Sequence, residues 1–432
     1  MRFLNVLLYE FNHFRKSSSK VVTYCIFVFA SIYSLYSGFD LQNTQQDTIE
    51  NISQENREKI AKFSNWFEKV TVKPDALDVL SYIPSYAIKN PSPLLALGIG
   101  QAEQYGYYKT ITNWSSTYDN DMVEEIANPE RLVNGNIDFS FLVIFLLPVL
   151  LIILTYNIKG FEKDFNFDKL IRIQFGSISK WVFMRFVFYV LLLTSTVLFF
   201  VFFVAIVNNV LLSHLSEISF LLVLLITYIF CFSGIFYLLV IRSFGSSEIA
   251  FKMISVWLLL CVIVPGSVHQ LASIKYPVNY MTEYLDSNRK ETYEVFDLPI
   301  DSLHARLVRI YPSLYNNQST KDYEINQQNR RNIIAAIISD MNKQAIAKIE
   351  QQNDAKNQFI RSTYWFNPIS FMQNKWNKCT ETDYYSYKEY RINVQKTIDK
   401  KINLMIFEPW YDRKVTNSIY QNYLKNLTPL FN

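Results

Sequence analysis

Histidine, cysteine and glycine are the residues with which this chain could do chemistry, and their spacing excludes most of it. None of the glycines is followed by Lys, so no G-x-x-x-x-G-K-[ST] loop can cradle a phosphate. No H-E-x-x-H, C-x-x-C or G-x-S-x-G occurs. The histidines, His13, His214, His269 and His304, are scattered. His214 and His269 lie near the ends of apolar runs and are the pair best placed to approach each other, with ordinary interfacial hydrogen bonding as the simpler reading. The methionines are dispersed without an M-x-x-M, which argues against a copper relay. Cys25, Cys231 and Cys261 fall inside apolar runs. Cys379 stands by itself in a polar block, so no disulfide is expected there. The chain is therefore read as non-catalytic, with no metal or cofactor of its own and no nucleic-acid partner.

The elements that would have to position any site are dominated by length and apolarity. Runs of about 20 uncharged apolar residues, at about 1.5 Å per helical residue, match the hydrocarbon thickness of a bilayer. Five such spans are predicted: Val21–Phe39, Phe139–Ile158, Phe186–Val207, Ile218–Ile241 and Ile249–Val268. The last contains Lys252 near one end, where a long side chain reaches the headgroups. The fold class is thus an all-α, multi-pass membrane protein. Its first span reads as an uncleaved anchor, because the leader is long, contains Glu10 and is followed by no small-x-small cleavage site.

Basic residues in short loops set the expected orientation. Arg2, Arg15, Lys16 and Lys20 precede the first span. Lys159, Lys163, Lys169, Arg172, Lys180 and Arg185 outnumber Glu162, Asp164 and Asp168 after the second. The opposite loop, Asn208 to Glu217, has neither Lys nor Arg. The N-terminus is expected in the cytoplasm, which places the blocks 40–138 and 269–432 outside as two mainly helical domains. No alternating strand pattern is read in either. The leader, residues 1–20, places Phe3, Leu4, Leu7, Leu8, Phe11 and Phe14 on one helical face and Glu10, Asn12, His13 and Arg15 mostly on the other. It is read as an interfacial elbow helix. In the second block Ile334, Ile337, Ile338, Met341, Ala345 and Ile349 mark one side of a long helix.

No Asp, Glu, Arg or His lies deep in any span, whereas ion-coupled carriers bind their driving ion at membrane depth. The spans therefore read as a mechanical element whose energy comes from a partner.

Several short elements, in order, carry a resemblance. They are "SPLLALGIGQAEQ" at Ser92–Gln104, then Asn128, Pro129, Gly135, Asp138 and Phe139, then "TYNI" closing the second span, followed by Glu162, Lys163 and Asp164. After the fifth span come "WFNPISFMQ" at Trp365–Gln373 and Phe407–Pro409. In this order they resemble an ABC-2-type transporter permease, in the branch described as permease components linked to multi-copper enzyme maturation. The resemblance implies a sixth span, which would begin where the chain stops at "LTPLFN". It also implies that the segment Lys159–Lys180, within the cytoplasmic stretch 159–185, is a coupling helix. Phe161, Glu162, Lys163, Asp164, Phe165, Asp168, Lys169 and Arg172 would then meet a separate ABC ATPase subunit, which itself binds ATP and Mg. Further implied partners are a second permease chain, identical or a sibling, the lipid bilayer of a bacterial inner membrane, and a periplasmic or outer-membrane protein. The expected function is export driven by the ATPase. A mechanotransmitter that moves its external domains without transporting a solute, and a scaffold or receptor with no ATPase, are the alternatives.

Overall fold

The structure is a computed structural model that describes residues 3–71, 73–118, 137–160, 167–243, 245–277, 287–314, 327–411 and 414–428. The order of its helices is α1 (Phe3–Lys16), α2 (Ser18–Lys69), α3 (Ala76–Tyr82), α4 (Phe139–Gly160), α5 (Asp168–Phe175), α6 (Ile178–Val207), α7 (Leu215–Arg242), α8 (Ser246–Lys275), α9 (Ser287–Phe296), α10 (Ile300–Ile310), α11 (Gln327–Ser362), α12 (Pro368–Cys379), α13 (Tyr384–Trp410) and α14 (Asn417–Leu427). Among the described residues five helices, α2, α4, α6, α7 and α8, are long and apolar enough to cross a membrane. They correspond to the five predicted spans and pack as one bundle, with Val143, Leu151, Leu193, Val201, Leu225 and Phe236 buried between them.

The first span does not end where its apolar stretch ends. Helix α2 is 52 residues long, which at about 1.5 Å per residue is about 78 Å. No proline occurs between Ser18 and Lys69, and the hydrogen-bonded ladder simply continues through Asp47–Lys69 until Pro74 approaches. The boundary expected at Asp40 is therefore a change of solvent, not of structure. Gly38 sits at that change, and a Cβ there would stand 2.6 Å from the Cα of Ala96. A glycine is what lets the short 3₁₀ turn Leu95–Leu97 lie against the helix.

Two of the membrane-length helices contain a π-helical turn, Leu142–Leu146 in α4 and Leu259–Ile263 in α8, and a proline follows each one, Pro148 and Pro265. The physical cause is explicit in α4. Pro148 has no N–H to bond the Ile144 carbonyl four residues back. Tyr228 of α7 donates its hydroxyl to that carbonyl instead, at 2.5 Å. The indole of Trp257 on α8 donates to the neighbouring Phe145 carbonyl at 2.9 Å. The irregular backbone is thus satisfied by the two adjacent helices.

At one end of the bundle stands a polar body made from both polar blocks. One of its cores joins Ile60 of α2, Val79 and Leu80 of α3, Met405 of α13 and Tyr420 and Leu424 of α14. Another joins Ala87 and Ile111 to Ile337 and Ile338 of α11 and Val394, Ile398 and Ile402 of α13. Among the described residues, both of these cores take side chains from each of the two polar blocks. The body also contains the two strands that the sequence does not announce, β1 (Tyr86–Ile88) and β2 (Tyr108–Thr110), paired antiparallel with Ala87 opposite Lys109. Strands of three residues are too short to show a period of two, and this pair is held by its packing on α13.

Candidate coupling site

The leader forms α1, but the face it docks is not the one read from its hydrophobicity. Val6, Glu10 and Phe14, spaced by four, are its buried stripe. Phe3, Leu4, Leu8 and Phe11 are exposed. This corrects the expectation that Glu10 belongs to a solvated face: its exposure is 0%. The reason lies on α6. Arg185, 2% exposed, donates through Nε to Glu10 Oε2 at 2.5 Å and through Nη2 to Oε1 at 3.3 Å. Tyr189, one turn on, donates its hydroxyl to Glu10 Oε1 at 2.6 Å. Lys20, in the first turn of α2, donates to the Tyr189 hydroxyl at 2.9 Å. Burial by itself would raise the pKa of the Glu10 carboxyl, but Arg185 and Tyr189 outweigh it and hold it below the usual carboxylate value.

The same guanidinium reaches the second span. Arg185 Nη1 donates to the Ile158 carbonyl at 3.4 Å, near the end of α4. The following two residues continue the tie. Lys159 donates to the carbonyls of Ile241, at the end of α7, and of Ser243, the latter at 2.8 Å. Its ammonium sits on the free carbonyls of a helix C-terminus, where a cation is favoured. Gly160 faces the start of α8 so closely that a Cβ would lie 2.7 Å from the backbone N of Ser246. Three consecutive residues, Ile158, Lys159 and Gly160, thus join the end of α4 to α6, α7 and α8.

Immediately beyond them the predicted residues Phe161, Glu162, Lys163, Asp164 and Phe165 lie outside the described residues. The described part of the segment resumes with α5, opened by Asp168. Gly176, at φ 73° in the left-handed region, ends it, and its N–H bonds the Arg172 carbonyl at 3.0 Å. Ile171 is the inward residue, buried with Val6 of α1 and Trp181 of α6. Phe175 packs on Trp181 with ring centroids 4.5 Å apart. Helices α1 and α5 therefore share one seat on α6. Lys169 and Arg172 lie on the exposed side of α5, together with Phe167, Leu170 and Ile173, the last 83% exposed. The stretch 159–185 is thus shorter as a loop than expected: Lys159 and Gly160 complete α4, and Ile178–Arg185 begin α6.

At the body end Asp138 meets the Ser92–Gln104 element, whereas the expected Asn128, Pro129 and Gly135 lie outside the described residues. Asp138 caps α4, with Oδ1 accepting from the Phe141 N–H at 2.7 Å and the Ser140 hydroxyl at 2.8 Å. Its Oδ2 accepts from the N–H of Ile99 at 2.9 Å and of Gly100 at 3.3 Å, in the Ser92–Gln104 element. Trp376 of α12 donates its indole N–H to the Leu97 carbonyl at 2.9 Å, and Thr382 donates to the Gly98 carbonyl at 3.0 Å. His214 lies beside Glu217 at 3.9 Å, and His269 beside Lys356. Among the described residues no group of three or more His, Cys, Asp or Glu could hold a metal ion.

Sequence reasoning missed the Glu10–Arg185–Tyr189–Lys20 set. A signal existed in it: Glu10 and Arg185 each stand with apolar residues four positions away, Val6 and Phe14 in one helix, Trp181 and Tyr189 in the other. No protein-family model, curated protein or solved structure matches this chain.

Proposed function

We infer that this chain is the membrane-spanning subunit of an ATP-driven ABC transporter in a bacterial inner membrane, with α1 and α5 on the cytoplasmic side and the polar body outside. The observation that carries the reading is the exposed face of α5. It is the next described helix after the second span, is seated on α1 and α6, and offers apolar Phe167, Leu170 and Ile173 beside basic Lys169 and Arg172. Such a face suits the groove of a separate ATPase, which would bind ATP and Mg. A push on α5 would pass through Val6, Ile171 and Trp181 to the Glu10–Arg185 pair, and from there to Ile158 and the end of α4.

The test is purification in mild detergent from cells that produce the chain at native level, with identification of whatever copurifies. A P-loop ATPase that is recovered with the wild-type chain and lost with K169E/R172E supports the reading. Recovery of the chain without any ATPase sinks it.

A second reading is favoured by α2. A single helix runs from the α1 seat into the core of the body at Ile60. Motion at one end would then move the body directly, so the work done outside would be mechanical and no solute need cross.

A further inference from the structure

Beside the outer end of α7 lies an open cleft of about 880 Å³. Its walls come from two solvents. One is the first turns of the membrane-length helix α7, with Glu217 and Phe220; the other is the polar body, with Lys89, Lys375, Lys378 and Glu389. A smaller cavity beside it, lined by Arg361 and Tyr364, shares Lys375, Lys378, Asp383 and Tyr385 with the first. The two form one groove with α12 as its shared wall.

Helix α12 fixes the depth of that groove. Ile369, Met372 and Trp376 are buried in the core of the bundle, so the helix lies across the bundle's end. Just before it, Trp365 and Phe366 are exposed, as aromatic residues are at the boundary between hydrocarbon and headgroups. Lys375 and Lys378, three residues apart on α12, therefore stand at headgroup level. Below the cleft, Phe220, Val223 and Phe230 share one exposed face of α7 and form an apolar track leading away from it into the bilayer.

We propose that this groove binds a zwitterionic phospholipid of the leaflet at the body end, its phosphate against Lys375 and Lys378, its ammonium against Glu217 and Glu389, and an acyl chain along Phe220, Val223 and Phe230. Both signs of charge line one cleft, as a headgroup with both signs requires, and the exposed apolar face of α7 continues from its lining residue Phe220. A soluble phosphate ester would use the lysines but have no need of that track. The proposal uses the body-end position of the groove and is independent of any ATPase.

The experiment is native mass spectrometry of the full chain, delipidated in detergent and titrated with three probes: phosphatidylethanolamine, phosphatidylglycerol and glycerophosphoethanolamine, which is the headgroup without tails. Phosphatidylethanolamine should be retained at least tenfold more tightly than either of the others. K375A/K378A, which alters side chains outside the packed core, should lose that tenfold. E217Q/E389Q should abolish the preference over phosphatidylglycerol while leaving phospholipid binding itself intact. Tight binding of glycerophosphoethanolamine would show a soluble phosphate-ester site and overturn the lipid assignment. Equal lipid retention by the wild type and a K375A/K378A variant with an unchanged gel-filtration profile would overturn it as well. Because no partner protein is present, neither result depends on whether an ATPase copurifies.

Discussion

The two ends of the bundle hold their elements by different chemistry. At the α1 end, charged side chains meet each other: Glu10 and Arg185, separated by 175 residues, form a pair that is 0% and 2% exposed. At the body end, the Asp138 carboxylate accepts from three backbone N–H groups and the Ser140 hydroxyl, and its bonds to Ile99 and Gly100 fix their loop to the start of α4. A pair of side chains can part and re-form as helices shift. A carboxylate threaded onto backbone amides sets a fixed frame. The α1 end thus rests on a buried pair of side chains contributed by two helices, and the body end on one carboxylate that accepts mainly from backbone amides.

The largest effect should come from breaking the buried pair on one side only. Arg185→Met leaves a carboxylate buried without its partner, which costs about 3–5 kcal/mol. The double variant E10M/R185M should recover most of that loss, and thermal unfolding in detergent reads both. If the single and double variants unfold alike, the pair is not the tie described here. Asp138→Ala comes next, at about 2–3 kcal/mol, because it removes a helix cap and orphans the buried N–H of Ile99 and the half-buried N–H of Gly100. Limited proteolysis within Ser92–Gln104 should accelerate in this variant and stay slow in E10M/R185M, which separates the two ends. Gly38→Ala should cost about 1–3 kcal/mol by forcing the turn at Ala96 off α2.

Two titrations sharpen the picture of the body itself. Lys401 is 7% exposed and donates to the Ile111 carbonyl at 2.9 Å. Burial pushes its pKa down to about 8 from 10.5. The folded body then prefers the neutral amine, so its stability should rise as pH increases from about 8 to 10.5, and K401M should flatten that rise. Glu350 behaves oppositely. Burial would raise its pKa, but Arg391, at 3.0 Å, and the hydroxyls of Tyr118 and Tyr384 outweigh it and hold it below 4.5. Its contribution is present above that value and should be lost as pH falls beneath it, a loss that E350Q abolishes in an acid melt. The smallest change in stability, within about 0.5 kcal/mol, is expected for the exposed K169E/R172E, whose effect should appear only in partner recovery.

Much of the bundle was legible in the sequence. The five apolar runs are the five membrane-length helices, and Ile334, Ile337 and Ile338 lie buried in α11 as their spacing requires. Asp138 and the Ser92–Gln104 element were singled out from the chain, and they meet at the start of α4. Of the expected coupling residues, Lys169 and Arg172 lie exposed on α5. What hydrophobicity misread was α1: counting apolar residues puts Glu10 on the wet side, and only Arg185 on another helix reverses that.

The division has a physical reason. A bilayer imposes a one-dimensional test, enough apolar residues in a row with every backbone group bonded inside the helix, and that test is answered locally by the order of residues. The sequence by itself therefore determined how many helices are long and apolar enough to cross and nearly where they lie. Continuing α2 to Lys69, building shared cores from two distant polar blocks and pairing Glu10 with Arg185 depend on contacts between residues far apart in the chain. Their free energy exists only once the helices are packed, so tertiary structure alone decided them.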